Sequence, residues 1–466
     1  MTIRRSLSIA AVAALAALVP ALADAQERQK PPEPDAPRPF HLPSPTRFTL
    51  SSGLKVTLVP YGSIPKTLVR LAVRSGNVNE SEKHVWLADL TGDLLLEGTK
   101  TRSATRIAQD SAGMGGDVAV NTNEDVTTIG GEVLSEFTPK MVELVADVAR
   151  NPVFPGSELA RLKANLERRL SLAKSQPGQM AQEAFRAAVY PGHAYGRLFP
   201  KPEALQALTL EDAKAFYAAN VGADRATLYV VGVFDAKSTE AAIRSAFAGW
   251  RKATGPAPAP VTASRKRALV VVDRPNASQS TIALGLPVID PTNPDYVPLL
   301  VMDSLLGGSF GSRITSNIRE QKGYTYSPFS LVSARHKSAV WVQAADVTTN
   351  VTGASLKEIF AEIERLRKEP PTAAELKGIQ NYLAGTFVLR NSSRTGIANQ
   401  LQFLELHGLP DSYLTGFVAR VSAVTPEEIT RIAKAYVKPE EMTLVVVGDR
   451  KVIDEQLRPY QPPAAP

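Results

Sequence analysis

The chain has 466 residues, with 53 Lys and Arg against 46 Asp and Glu, a formal charge of +7 and no cysteine. Lack of cysteine excludes disulfides, thiolate metal sites and thiol nucleophiles, and a chain this long can bury a core large enough to need no staple. The charge is too dilute to argue for nucleic acid as a partner.

The N-terminus, MTIRRSLSIAAVAALAALVPALADA, sets Arg4 and Arg5 before an apolar run of thirteen residues from Leu7 to Val19, followed by small residues at Ala21, Ala23 and Ala25. This pattern predicts a signal peptide over 1–25, cut after Ala25 or, as second choice, after Ala23. The run is short of the roughly 20 residues that a membrane span needs. No later stretch spans a bilayer either, so the expectation is an exported, soluble protein of a bacterial periplasm. Residues 26–44, QERQKPPEPDAPRPFHLPS, read as a Pro-rich leader that forms no packed core.

Downstream, RFTLSSGLKVTLVPY predicts a hairpin turning at Ser-Gly, LVRLAVRSG a strand, His84 to Glu97 a helix, and DVAVNTNEDVTTIGGEVL a second hairpin. Apolar residues at three- and four-residue spacing predict helices from Pro139 to about Arg150 and from Ser157 to Ala173. RKATGPAPAPVTASRKR, 251–267, has linker composition and separates two halves of similar size, 45–250 and 268–458, with a tail at 459–466.

The halves repeat each other. Thr209 and Thr425, Glu211 and Glu427, Thr227 and Thr443, and Gly232 and Gly448 match in a capped helix, a loop and a buried strand, each pair 216 apart. Glu158 and Glu375 match at 217 in an earlier helix. The reading is a duplicated α+β domain, each copy an antiparallel-rich sheet with helices packed on one face.

Asp89 and Asp93 lie four apart on the helix that runs into Gly98-Thr99, and so share one face. Two carboxylates alone seldom hold a hard cation, and the better reading is a solvated pair. The five histidines, His41, His84, His193, His336 and His407, contain no pair at ligand spacing. Composition alone makes Arg319 part of a surface pattern with Glu320, and Tyr326 a strand residue; Gly323 between them lets the chain turn.

LSSGLKVTLVPY, LLLEGTKTRS, HAYGRLFP, LLGGSFGSRITSNIREQKGYTYSPFS and YVVGVFD, in that order, give the chain a resemblance to the pitrilysin or insulinase-like zinc metallopeptidases, the inverzincins. The resemblance implies a clam-like half-chamber of two homologous domains. Active members carry His-x-x-Glu-His, whose imidazoles bind zinc while the Glu polarises its water. At the family spacing from Gly98-Thr99 those positions fall on Asp89, Gly92 and Asp93, so all three groups are missing. The family's remaining ligand, a Glu on a later helix, falls near Leu170, where Glu167 is the nearest carboxylate.

The resemblance also implies that Arg319 and Tyr326, with Tyr324 as a competing phenol on the same strand face, hold substrate and stabilise its tetrahedral intermediate. Some bacterial relatives work as pairs, one subunit with the zinc motif and one without it. This chain is then expected to be inactive alone and to bind no cofactor, zinc residing on a homologous partner subunit whose peptide substrate Arg319 and Tyr326 contact. The other expectation is a zinc-free peptide-binding scaffold, with DVAVNTNEDVTTIGG as the sheet edge that a peptide extends.

Overall fold

A computed structural model describes residues 40 and 42–462. The signal peptide, most of the leader, His41 and the last four residues lie outside the described residues.

The predicted hairpins and strands form two mixed sheets. In the first, β1 (Thr46–Thr49), β2 (Lys55–Pro60), β3 (Lys66–Val73), β4 (Ala119–Thr122), β5 (Thr127–Leu134) and β6 (Ala226–Gly232) run in the order β1-β2-β6-β3-β5-β4. In the second, β7 (Ala268–Asp273), β8 (Gln279–Val288), β9 (Phe329–Arg335), β10 (Ser338–Thr348) and β11 (Thr443–Gly448) run β7-β11-β8-β10-β9. Each sheet has one parallel pair, β2 with β6 and β7 with β11; the other neighbours are antiparallel. The matching strands β6 and β11 are fully buried and hold the same place in their sheets. The β1–β2 turn needs glycine, because Gly53 sits at φ +97°.

Helices of each half cover one face of its own sheet. In the first half Leu87–Leu95, Thr138–Arg150, Gly156–Ser175 and Leu210–Asn220 bury Leu90, Leu94, Val145, Leu166 and Phe216 against Val69, Leu71, Leu228 and Val230. The opposite faces are not bare, which the sequence reading did not foresee. The helix Pro177–Val189 of the first half lays Ala181, Phe185 and Val189 on Ala283, Val340, Val445 and Val447 of the second sheet. Reciprocally, the helix Arg394–His407 of the second half lays Ile397, Ala398, Leu401 and Leu404 on Leu68, Ala72, Tyr229 and Val231 of the first. Strand alternation makes this possible: Ile282, Leu284 and Leu286 point to the native helices and Ala283 to the borrowed one. Ion pairs of 2.7 Å, Arg394 with Glu132 and Arg47 with Asp411, tie the halves further.

Three boundaries differ from expectation. The leader's end belongs to the fold, since Phe40 and Leu42 pack on the core and the Phe40 ring meets Phe387 edge-on at 5.2 Å. The tail's start does too: Tyr460 stacks on Phe360 and donates to the Gly353 carbonyl at 3.0 Å. The first helix begins at Leu87 rather than His84, because Trp86 adopts a left-handed φ of 69° and breaks the helical path. No helix among the described residues is long and apolar enough to cross a membrane.

Candidate functional site

The Leu87–Leu95 helix starts on an unusual cap. Glu80, buried, accepts from the backbone N–H groups of Ala88 at 2.8 Å and Trp86 at 3.1 Å, serving the donors a helix start leaves free. Burial pushes its carboxyl up to about 8 despite these donors, and Asp89 adds to the rise. Asn77 donates one amide hydrogen to Glu80 at 3.0 Å and the other to Asp89 at 2.7 Å, joining the cap to the first position of interest.

Asp89 is not solvated. Its side chain is 12% exposed, with Oδ1 2.6 Å from the Arg169 guanidinium and Oδ2 held by Asn77. Arg169 comes from the Gly156–Ser175 helix and lies over the Trp86 ring at 4.0 Å. Asp93, one turn on, is half-buried; burial first and the Asp89 charge second push its carboxyl up to about 6, and Arg169 pulls the other way. The helix that should bring a last carboxylate thus brings a cation, while Glu167 makes no hydrogen bond or ion pair among the described residues.

Gly92 marks the third missing group. Any Cβ there would stand 2.8 Å from Thr122 Oγ1 and 3.3 Å from Val120, both on β4. A larger side chain there would have to displace the Thr122 hydroxyl and crowd the Val120 methyl. Zinc does not fit these residues: Asp89 is already occupied by Asn77 and Arg169, no imidazole among the described residues joins them in a metal-binding group, and a metal would meet the guanidinium on the same carboxylate. No three His, Asp or Glu side chains among the described residues are placed to share a metal ion. His84 faces Ser81 and Asp212, His193 accepts from the Tyr195 N–H, and His407 is buried against Phe403.

Arg319 and Tyr326 do come together. Arg319 lies in a wide helical turn, Ser316–Gln321, and its guanidinium sits 5.0 Å from the Tyr326 ring centre and 4.4 Å from that of Phe310. Glu320 is a loose ion partner at 3.3 Å. Tyr326 is 79% exposed and Phe310 71%, so two aromatic rings flank the cation at the surface. Tyr326 is not a strand residue as expected, and Tyr324 and Tyr326 share no strand face. The segment makes one bridge, Thr325 with Val347, and Tyr324 is pinned by backbone bonds to Ile318 and Thr348. Both tyrosines, Arg319 and Glu320 line one shallow cleft with Gln279 and Thr348.

The expected sheet edge is present, since β4 ends the first sheet. Asn77, Glu80, Arg169 and Phe310 escaped sequence reasoning. The signal for Arg169 was an arginine two residues after Glu167, on the helix expected to face two aspartates.

Two family models match in succession: residues 58–203 match the insulinase family, peptidase family M16, and residues 207–383 match the peptidase M16 inactive domain. The chain is 22% identical over 413 residues to an uncharacterized zinc protease of Streptomyces coelicolor, covering 87% of this chain and 90% of that one. It is 23% identical over 397 residues to the non-peptidase homolog YmxG of Helicobacter pylori, covering 83% and 90%. Its fold is similar to the crystal structure of a peptidase M16 inactive domain from Pseudomonas fluorescens, with a TM-score of 0.79 and 25% identity over 87% of this chain and 98% of that one.

Proposed function

Because the chain belongs to peptidase family M16, we propose that it is a non-catalytic subunit of a periplasmic zinc peptidase, paired with a zinc-bearing homologous subunit. The observation that carries this reading is the filled motif: Asp89 is bound to Arg169 and Gly92 is pressed on β4, so the place of the metal and its base is built over. Presentation of Arg319 between two exposed rings supports the second part, a cationic fork offered to a substrate carbonyl on the partner, with the Tyr326 phenol as donor to the developing oxyanion. One lost oxyanion donor of this type costs about 10²–10³ in rate. Export by the N-terminal signal is part of the proposal and is checked by N-terminal sequencing of the periplasmic protein.

Peptide cleavage by the isolated chain, by a zinc-bearing homologue from the same organism and by their mixture tests the reading. The mixture should cleave, the isolated chain should not, and Arg319→Ala or Tyr326→Phe should slow the mixture. Zinc-dependent cleavage by the isolated chain, or a mixture indifferent to both substitutions, would overturn it. The place of β4 at the end of its sheet favours the second reading, a scaffold that takes a peptide as an added strand. Peptide binding to this chain with no gain in cleavage on adding any zinc-bearing homologue would select it.

A further inference from the structure

The second half contains its own counterpart of the Asp93 position. DLLLEGT, from Asp93, and DSLLGGS, from Asp303, align so that each aspartate stands five residues before a glycine, Gly98 or Gly308. Asp303 ends the helix Tyr296–Asp303, which continues in a wider turn over Ser304–Gly308. It opens into a cavity of about 510 Å³ walled by Tyr296, Phe387, Phe403, Tyr413 and Phe417.

Asp303 is 7% exposed and has no ion partner among the described residues. Other buried charges are served: Arg102 faces Asp147, Glu124 faces Arg186, and Glu80 caps a helix. Asp303 Oδ1 accepts from Ser330 at 2.5 Å and from the Trp341 indole at 2.8 Å, which fixes the carboxylate in orientation. Oδ2 accepts no hydrogen bond from the described residues and lies against Gly308, where a Cβ would come within 2.6 Å of it. Burial pushes the carboxyl up to about 6 against those two donors. A buried carboxylate with one free oxygen is costly unless a cation meets it. The carbonyl end of the helical segment, reaching the cavity at Gly308, adds negative potential; the exposed Arg390 also lines the cavity.

We propose that this cavity is a binding site for the side chain of a peptide lysine, its aliphatic stem lying among the aromatic rings and its ammonium reaching Asp303. Charge complementarity selects this occupant, since aromatic faces and a carboxylate both attract an ammonium while the apolar walls suit a methylene stem. The site lies in the second half and needs no zinc or partner.

The test uses the full mature chain and two blocked hexapeptides that differ only in lysine or norleucine at one position, titrated by calorimetry or NMR. The lysine peptide should bind at least about tenfold tighter, the discrimination of one charge-assisted contact. Asp303→Asn should bind both peptides alike, and Thr386→Trp, which narrows the cavity, should weaken both. Equal binding of the two peptides to the unaltered chain would overturn the proposal, as would a lysine preference that survives Asp303→Asn. A chain that binds lysine peptides but stimulates no cleavage by any homologue would refute the heterodimer and leave this pocket standing.

Discussion

Replacing Arg169 with methionine keeps a flexible stem over Trp86 but strips the charge that faces Asp89. The cost follows from the asymmetry of the pair, 12% exposed on the Asp89 side and 49% on the Arg169 side. Removing one partner of a fully buried pair costs about 3–5 kcal/mol, and exposed pairs are worth about 0–1 kcal/mol. This pair lies between them, and with the loss of the Trp86 contact we expect about 1–3 kcal/mol. Urea denaturation of the mature protein measures it, with Arg458→Met, an exposed arginine elsewhere, as control. Adding Asp89→Asn should recover at least half of the loss, because the orphaned charge is then gone and Asn77 still has an oxygen to bond. An Arg169→Met variant no less stable than Arg458→Met, or one that Asp89→Asn makes worse, would show that the guanidinium does not stand in for a cation at this site.

Asp93 titrates near 6 when folded, against about 3.9 unfolded, so the folded state holds its proton more tightly and loses stability as pH rises from 4 to 6. Asp93→Asn should therefore gain about 1–2 kcal/mol at pH 7 and almost nothing at about pH 3, and a gain independent of pH would contradict the assignment. Gly92→Ala, in a helix where alanine ordinarily stabilises, should instead cost about 1–3 kcal/mol against Thr122, and Thr122→Ala should relieve most of it in thermal melts. Phe40→Ala should cost about 1–2 kcal/mol, less than the 3–5 of a fully buried ring, and no change would mean the leader's end is not part of the fold.

Much of the fold was legible because its signals are local. Val and Leu alternate or run continuously in the strands, Ser-Gly marks the first hairpin, and the Thr209 and Thr425 caps repeat with the strands that follow them. What stayed hidden depends on distant partners. Nothing in the apolar spacing of Pro177–Val189 tells which sheet it covers, since Ala181, Phe185 and Val189 would suit either. Asp89 and Asp93 look alike in sequence, yet one is paired and the other is left with a carboxyl raised by burial, because Arg169 bonds Asp89 and acts on Asp93 only from a distance. The loss at Asp89, Gly92 and Asp93 could be read from the motif; its physical replacement by a guanidinium and a strand could not. Asp303 was missed because its repeat runs at an offset of 210, outside the register of 216 that exposed the duplication.

The exchange of Pro177–Val189 and Arg394–His407 bears on how such a molecule came to exist. A single copy of the repeat, standing alone, would carry a helix with no sheet to cover and a sheet with one face open to water. Two identical copies related by a twofold axis would satisfy both at once, each lending its helix to the other. Such a symmetric pair, joined end to end through the segment 251–267, would have the arrangement seen in this chain. Cutting the chain in that segment should yield two fragments that stay together and that fold only in each other's presence.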